Sequence, residues 1–265
     1  MKVITLHSIT PVRTEASETA EQETQLLFGE TAEVLDEKER WLKIKADNDG
    51  SEGWADKKML IKLSDKEYQQ VAEANKKEKQ YIKLPVAFAL SVGNGQTIPL
   101  AAGTALPNYK DGHFEILGAH FDIDPNAVTT AMTFSEEKFL QTARFFLNCP
   151  YLWGGKNMFG FDCSGFTQVL FSLFGIQLPR NASQQVTVGK AVDFLAEAQI
   201  GDLAFFNHPD DINKITHVGI LLDDKRILHC SGRVKIDRID PNGIIDTETN
   251  QYSHNLLTIR RVTGL

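Results

Sequence analysis

The stretch Gly160-Phe161-Asp162-Cys163-Ser164-Gly165-Phe166 determines how the second half of this chain is interpreted. At Cys163 an extended pattern gives way to a helical one, and the apolar residues that share one helical face are Phe166, Val169, Leu170, Leu173 and Phe174. The N–H groups and the positive dipole end at the start of a helix favour a thiolate over a thiol. The sequence therefore predicts that Cys163 is a nucleophile with a pKa below its ordinary value.

Helical patterns precede strand patterns in this half of the chain. The residues Thr133-Phe134-Ser135-Glu136 are typical of a helix start, and apolar residues then recur at helical spacing as far as Cys149-Pro150. Gly175 is expected to end the helix that starts at Cys163. Strands are predicted at residues 203–206, 218–222, 227–229 and 257–259. Helices first and antiparallel strands afterwards predict the α+β class.

The amino-terminal half divides into three predicted regions. Residues 1–63 alternate with period two around Asp49-Gly50, which predicts a small antiparallel barrel. Residues 64–83 are rich in Lys, Glu and Gln and predict a helical linker. Residues 84–124 contain short apolar pieces separated by Gly and Pro turns, which predict a second, degenerate barrel. Residues 125–265 are then the last domain.

Composition excludes several classes of partner. With 265 residues, a net charge of -7 and a pI near 5.5, the chain offers no basic surface for a nucleic acid. Its three cysteines fit no CxxC-type zinc pattern, and we expect neither a metal nor an organic cofactor. No apolar run approaches the ~18 residues of a membrane span. We expect a cytoplasmic monomer that binds no membrane, with an exported form whose leader has been removed as the alternative.

Six short motifs follow one another in the second half. They are Tyr151-Leu152-Trp153-Gly154-Gly155, Phe161-Asp162-Cys163-Ser164-Gly165-Phe166, Pro179-Arg180-Asn181-Ala182-Ser183-Gln184-Gln185, Gly201-Asp202-Leu203, Thr216-His217-Val218-Gly219-Ile220 and Ile227-Leu228-His229-Cys230-Ser231-Gly232. In this order they resemble the NlpC-type cell-wall cysteine peptidases, a papain-like group. Residues 1–63 resemble bacterial SH3-like modules. The resemblance implies a papain-like catalytic domain preceded by one or two SH3-like barrels.

The resemblance also implies a division of catalytic roles. It makes Cys163 the nucleophile, His217 the general base and acid, and His229 the residue that orients His217. Such chemistry needs a base to take the thiol proton and a third group to fix the ring of that base. Because His229 replaces a carboxylate, we expect a neutral partner that stabilises the imidazolium of His217 less well.

Further residues are implied to contact the substrate. Tyr151 matches a tyrosine that donates to the developing oxyanion alongside the Cys163 N–H. Asp162 and Ser164 are implied to line the pocket for the amino end of the substrate, with Asp162 as the first choice of carboxylate for an ammonium group. Trp153 is assigned to packing and to one wall of the cleft.

Behind SH3-like modules, this catalytic half resembles the γ-D-glutamyl-L-diamino acid endopeptidases (dipeptidyl-peptidase VI). The resemblance implies hydrolysis of free murein peptides with an unblocked L-Ala amino terminus, releasing L-Ala-γ-D-Glu from L-Lys or meso-diaminopimelate during cell-wall peptide recycling. It further implies that the amino-terminal module closes the cleft and supplies an acid, Glu21, with Glu15, Glu18 and Glu23 as alternatives. Ser51 stands where the family pattern has a tyrosine.

Two other functions stay open at this point. One is a peptide-binding module whose catalytic half is vestigial. The other is an amidase or acyltransferase, because the same groups serve any acyl transfer. The cysteines and histidines outside the catalytic roles are assigned structural positions: Cys149, Cys230, His7, His113, His120, His208 and His254.

Overall fold

The computed structural model describes residues 1–76, 79–208 and 211–264, with side chains except those of residues 75, 76, 208 and 211–213. The chain forms two compact units, Met1–Met132 and Thr133–Leu265. Helices and antiparallel strands occur together, and the predicted α+β class is confirmed. Among the described helices, none has the length and apolar character needed to span a membrane.

The first unit begins with one antiparallel sheet of seven strands. They are β1 (Lys2–Ile4), β2 (Ile9–Arg13), β3 (Gln22–Leu27), β4 (Thr31–Lys38), β5 (Trp41–Ala46), β6 (Glu52–Asp56) and β7 (Ile61–Leu63), in the order β3-β2-β6-β5-β4-β1-β7. Alternate side chains turn inward, as in β2, where Thr10 and Val12 are buried between partly exposed neighbours. The buried residues Val3, Leu26, Leu42 and Ile44 form the core of this sheet.

A helix and two smaller sheets complete the first unit. They comprise α1 (Asp65–Lys76), β8 (Gln80–Ile82), β9 (Val86–Ser91), β10 (Thr97–Ala101), β11 (Ala105–Leu106), β12 (His113–Ile116), β13 (Ala119–Asp122) and β14 (Val128–Thr130). The two sheets have the orders β10-β9-β13-β12 and β11-β8-β14. Val71 of α1 is buried in a second hydrophobic core with Ile82 of β8 and Leu100 of β10, so the charged helix packs by one side. The predicted domain boundaries within this unit stay predictions.

The second unit starts with helices and ends in strands. Its elements are α2 (Glu136–Arg144), β15 (Lys156–Asn157), β16 (Gly160–Phe161), α3 (Cys163–Ser172), α4 (Ala182–Gln185), β17 (Lys190–Val192), β18 (Leu203–His208), β19 (Asp211–Leu221), β20 (Arg226–Ser231), β21 (Arg233–Asp240), β22 (Gly243–Ile245) and β23 (Tyr252–Arg261). Strands β18 to β23 pair in sequence, and β23 pairs with both β18 and β22. These six strands therefore close into a barrel.

Helix α3 is buried on every side, which the sequence did not predict. Every residue from Cys163 to Phe171 is buried, although the apolar pattern indicated a single buried face. Polar Thr167 and Gln168 offset part of their desolvation cost by bonding to Gln185 and to the carbonyl of Leu178. Gly175 follows the helix with φ 73°, as a glycine after a helix end commonly does. A fully enclosed helix gives Cys163 a rigid position.

Candidate active site

Cys163 is the first residue of α3, and Asp162 is its N-cap. The Asp162 Oδ1 atom accepts a hydrogen bond from the Gly165 N–H at 2.6 Å, which fixes the first helical turn. The Cys163 side chain keeps 8% of its surface exposed. Its sulfur accepts hydrogen bonds from the main-chain N–H groups of Ser164 and Val218. Since Val218 belongs to β19, the sulfur lies where the helix meets the barrel.

The Asp162 carboxylate is held by a buried arginine. Arg180, of which 1% is exposed, donates from Nη1 to Oδ1 at 3.0 Å and from Nη2 to Oδ2 at 2.5 Å. Gly154 N–H donates to Oδ2 at 2.9 Å, and the Ser164 hydroxyl donates to Oδ1 at 3.2 Å. Bidentate arginine–carboxylate contacts of this kind fix geometry strongly. Both oxygens of Asp162 therefore already have donors from the chain, and its contact with a substrate ammonium stays a prediction.

Two glycines bring the backbone of a turn against the start of α3. A Cβ atom on Gly155 would lie 2.1 Å from the Gly160 carbonyl oxygen, and one on Gly165 would lie 2.2 Å from the Gly155 carbonyl oxygen. Neither position has room for any side chain, and both obstructing atoms belong to the backbone. The turn at residues 154–155 and the first turn of the helix are thus in direct main-chain contact.

The pKa of Cys163 shifts opposite to the predicted direction. Burial, and after it the neighbouring Asp162 charge, raise the pKa of this thiol to about 11. The N–H groups of Val218 and Ser164 and the charge of Arg180 act in the other direction but do not outweigh burial. The expectation of a low thiol pKa was wrong because it counted the helix start and not the loss of water. A thiolate here requires a base to accept the proton.

His217 on β19 and His229 on β20 lie side by side in the barrel wall. His217 Nε2 is 2.8 Å from His229 Nδ1, and both side chains are buried. Burial lowers the pKa of His217 well below its usual range, and the adjacent His229 and His254 lower it further. Burial also lowers the pKa of His229. His217 is consequently neutral at pH 7 and able to accept a proton.

A carboxylate, Asp237 of β21, lies behind His229. Its Oδ2 atom is 3.0 Å from His229 Nε2 and 3.0 Å from the Lys235 ammonium. Its Oδ1 atom accepts from the Thr247 N–H at 3.0 Å and from the Thr247 hydroxyl at 2.7 Å. Burial acts to raise the pKa of Asp237, but the bonds from His229, Thr247 and Lys235 outweigh it and lower the pKa. Asp237 is therefore ionised.

The remaining predicted site residues differ in where they lie. Tyr151 forms a β-bridge to Phe161, two residues before Cys163, and the pKa of its phenol is raised by burial first and then by the charges of Cys163 and Asp162. Ser164 is buried and also accepts from Arg180 at 3.0 Å. Trp153 is 57% exposed. Glu21 is an exposed residue of the first unit, in the turn before β3, and its role stays a prediction.

Sequence reasoning did not assign Arg180, Asp237 or His254 to the site. Arg180 lies in the third of the six motifs given above. Around Asp237, apolar and polar residues alternate, which is typical of a strand, and this segment directly follows the strand that carries His229. The ring of His254 stacks on His217 with centroids 4.3 Å apart and planes at 26°. The side chain of His208 lies outside the described part of the chain. In the described residues, no group of three or more His, Cys, Asp or Glu side chains is placed to hold a metal ion.

A cysteine at a helix start, set against a barrel strand with paired histidines, defines a papain-like thiol hydrolase site. Family models match two parts of the chain: NlpC/P60 at residues 148–257 and the bacterial dipeptidyl-peptidase Sh3 domain at residues 12–60. The gamma-D-glutamyl-L-lysine dipeptidyl-peptidase of Bacillus subtilis (strain 168) is 33% identical over 252 residues, which cover 90% of this chain and 80% of that protein.

A protein of the same name from Bacillus cereus (strain ATCC 10987 / NRS 248) is 28% identical over 230 residues, covering 78% of this chain and 66% of that protein. The crystal structure of an NlpC/P60 family protein from Bacillus cereus ATCC 10987 superposes with a TM-score of 0.83, at 23% identity and over 99% of both chains, and shows the shared fold. This chain belongs to the NlpC/P60 family. It is a cysteine-type peptidase, a hydrolase, with an amino-terminal SH3-like domain.

Proposed function

We propose that this chain hydrolyses the bond between γ-D-Glu and a diamino acid, L-Lys or meso-diaminopimelate, in free murein peptides with an unblocked L-Ala amino terminus. The product is L-Ala-γ-D-Glu, and the process is the recycling of cell-wall peptides. The names of the two relatives support this substrate, since both are gamma-D-glutamyl-L-lysine dipeptidyl-peptidases.

One observation carries the proposed chemistry. The Cys163 sulfur accepts a bond from the N–H of Val218, and the residue before Val218 is His217, whose Nε2 lies 2.8 Å from His229. The proposed nucleophile, base and orienting group therefore belong to the neighbouring elements α3, β19 and β20. His217 is a buried, neutral imidazole one residue from the N–H group that bonds the sulfur, and this supports catalysis over a vestigial binding module, because burying an ionisable group costs stability.

The reaction proceeds through a thioester. His217 takes the Cys163 proton as the sulfur attacks the γ-carbonyl carbon, and Tyr151 with the Cys163 N–H stabilises the oxyanion. His217 then gives its proton to the leaving α-amine of the diamino acid. Water, deprotonated by His217, attacks the thioester, and the sulfur leaves and regains a proton as L-Ala-γ-D-Glu departs.

Recognition of the free amino terminus is assigned to carboxylates. Asp162 and Glu21 are the proposed partners of the L-Ala ammonium, with Ser164 and Trp153 on the walls of the subsite. We further propose a cytoplasmic monomer. Cell fractionation and the elution volume of the purified chain test these two points.

Product analysis tests the function. We expect L-Ala-γ-D-Glu-L-Lys to be cut after D-Glu, and Cys163→Ala to lower the rate by about 10⁴-fold or more. Cys149→Ala is the matched control, because it removes another buried thiol and leaves the site groups in place. The N-acetylated peptide should resist cleavage. Equal cleavage of the acetylated peptide contradicts amine recognition, while release of a different product from the peptide or from sacculi contradicts the proposed bond.

A further inference from the structure

The site contains a chain of three polar side chains that ends at a carboxylate. His217 Nε2, His229 Nδ1, His229 Nε2 and Asp237 Oδ2 follow one another with heavy-atom distances of 2.8 Å and 3.0 Å. All three side chains are buried, with 4%, 1% and 1% of their surface exposed. With water kept out to this extent, each donor must face an acceptor within the chain of contacts.

Proton positions follow from the carboxylate end. An ionised carboxylate can only accept, so the proton between Asp237 and His229 is on His229 Nε2. A neutral imidazole carries one N–H, which leaves His229 Nδ1 as an acceptor. His217 must then donate from Nε2, and its Nδ1 is left without a proton. We propose that Asp237 is a positioning residue that acts through His229 to keep Nδ1 of His217 free to take the thiol proton. This inference rests on the proposed function only for its catalytic consequence.

The charges around Asp237 support a neutral His229. Lys235 contacts Asp237 Oδ2 at 3.0 Å and Asp246 at 2.5 Å, so the buried carboxylate already has a cation. Lys235 also acts to lower the pKa of His229, against the influence of Asp237. If His229 instead carried two protons, its Nδ1–H would point at His217 Nε2, and the His217 proton would move to Nδ1. The base would then be blocked.

The surroundings of His217 leave this tautomer undisturbed. The ring of His254 stacks on its face, and the ring of Phe206 lies 6.0 Å away. These ring contacts do not depend on which nitrogen of His217 carries the proton. The edge of the ring toward His229 is therefore the one that determines the proton position.

Nitrogen NMR of the ¹⁵N-labelled full chain at pH 7 tests the assignment without substrate, because ring ¹⁵N shifts distinguish Nε2–H from Nδ1–H imidazoles. The signals are assigned by their loss in His217→Gln and His229→Gln variants. We expect the Nε2–H form for both histidines. An Nδ1–H form of His217, or a doubly protonated His229, overturns the inference. This holds whichever amide bond the enzyme cuts, so failure here is separate from failure of the proposed substrate.

A substitution provides a second test of the role of Asp237. Asp237→Asn can donate to His229 Nε2 and so reverse both tautomers. We expect kcat to fall by about 10²-fold or more with KM within about threefold, together with an Nδ1–H signal from His217. Asp202→Asn is the control, since Asp202 is equally buried but pairs with Arg261. It should leave the histidine spectra unchanged. Unchanged tautomers and kcat in Asp237→Asn, or equal losses in both variants, overturn the inference.

Discussion

Two buried carboxylates, Asp162 and Asp237, serve the same site in different ways. Asp162 lies beside Cys163. Its negative charge is paired with Arg180, a permanent cation that donates two hydrogen bonds to the carboxylate. Asp237 lies behind the histidines, and its nearest partners are a neutral imidazole and Lys235. The first carboxylate raises the pKa of the thiol, whereas the second acts to raise the pKa of His229.

Position, and not charge alone, therefore determines what a buried acid does. Asp162 is required to hold the helix start and opposes a free thiolate, so its charge has to be offset by Arg180. Asp237 reaches the base only through another ring, so it can direct a proton without placing a full charge next to the sulfur. Three experiments test this contrast.

The largest effect is expected from Arg180→Met. It leaves the Asp162 carboxylate buried without its cation, and breaking a buried pair from one side typically costs about 3–5 kcal/mol of unfolding free energy. Urea denaturation measures the change. Arg226→Met is the control, because the Arg226–Asp223 pair is on the surface and should contribute less than about 1 kcal/mol. Similar losses in the two variants contradict the structural role of the Asp162–Arg180 pair.

The second experiment isolates the thiol from its base. In the parent chain the neutral His217 can take the proton as the thiol reacts, whereas in His217→Ala only the small fraction of thiolate of a group with a pKa of about 11 can react at pH 7. Since a positioned general base typically contributes about 10²-fold or more, we expect iodoacetamide to alkylate Cys163 at least about tenfold more slowly in His217→Ala than in the parent chain. The rate should rise with pH toward that pKa.

Peptide mass spectrometry resolves Cys163 from Cys149 and Cys230 in this assay. His113→Ala is the matched control, because His113 is exposed in the first unit and pairs with Asp122. If the alkylation rate at pH 7 is the same with and without His217, the thiolate forms without this imidazole. That result contradicts the role of His217 as the base for Cys163.

The smallest effect is expected from Thr247→Val. This change removes the 2.7 Å hydroxyl bond to Asp237 Oδ1 and keeps the main-chain bond at 3.0 Å. One hydrogen bond contributes about 1 kcal/mol, which corresponds to about a fivefold lower kcat if Asp237 positions the histidines. Thr249→Val is the control, since its hydroxyl bonds Asp246 and not Asp237. A larger loss in Thr249→Val would reverse the assignment.

Local patterns predicted much of the catalytic unit. The helix start at Cys163 and the strands that carry His217 and His229 occur where the sequence places them. These features depend on contacts close in sequence, which periodicity and capping residues reveal. The catalytic roles of the three residues stay predictions, to be tested as described above.

Long-range pairing explains what the sequence did not reveal. Asp237 reaches His229 only because β20 and β21 pair with Ile227 opposite Asp237, a register that no local pattern specifies. The burial of α3 on all sides depends likewise on the barrel that surrounds it. The raised thiol pKa follows from that enclosure, and so it could not be judged from a helix start alone.

The contact between the turn at Gly155 and the helix at Gly165 has a consequence for sequence comparison. A carbonyl 2.1–2.2 Å from where a Cβ would be placed forbids every other amino acid, whatever reaction the protein performs. A descendant that has lost its sulfur must keep both glycines to retain this shape. Their presence therefore diagnoses the architecture, while the residues at positions 163, 217 and 229 are the ones predicted to report whether catalysis survives.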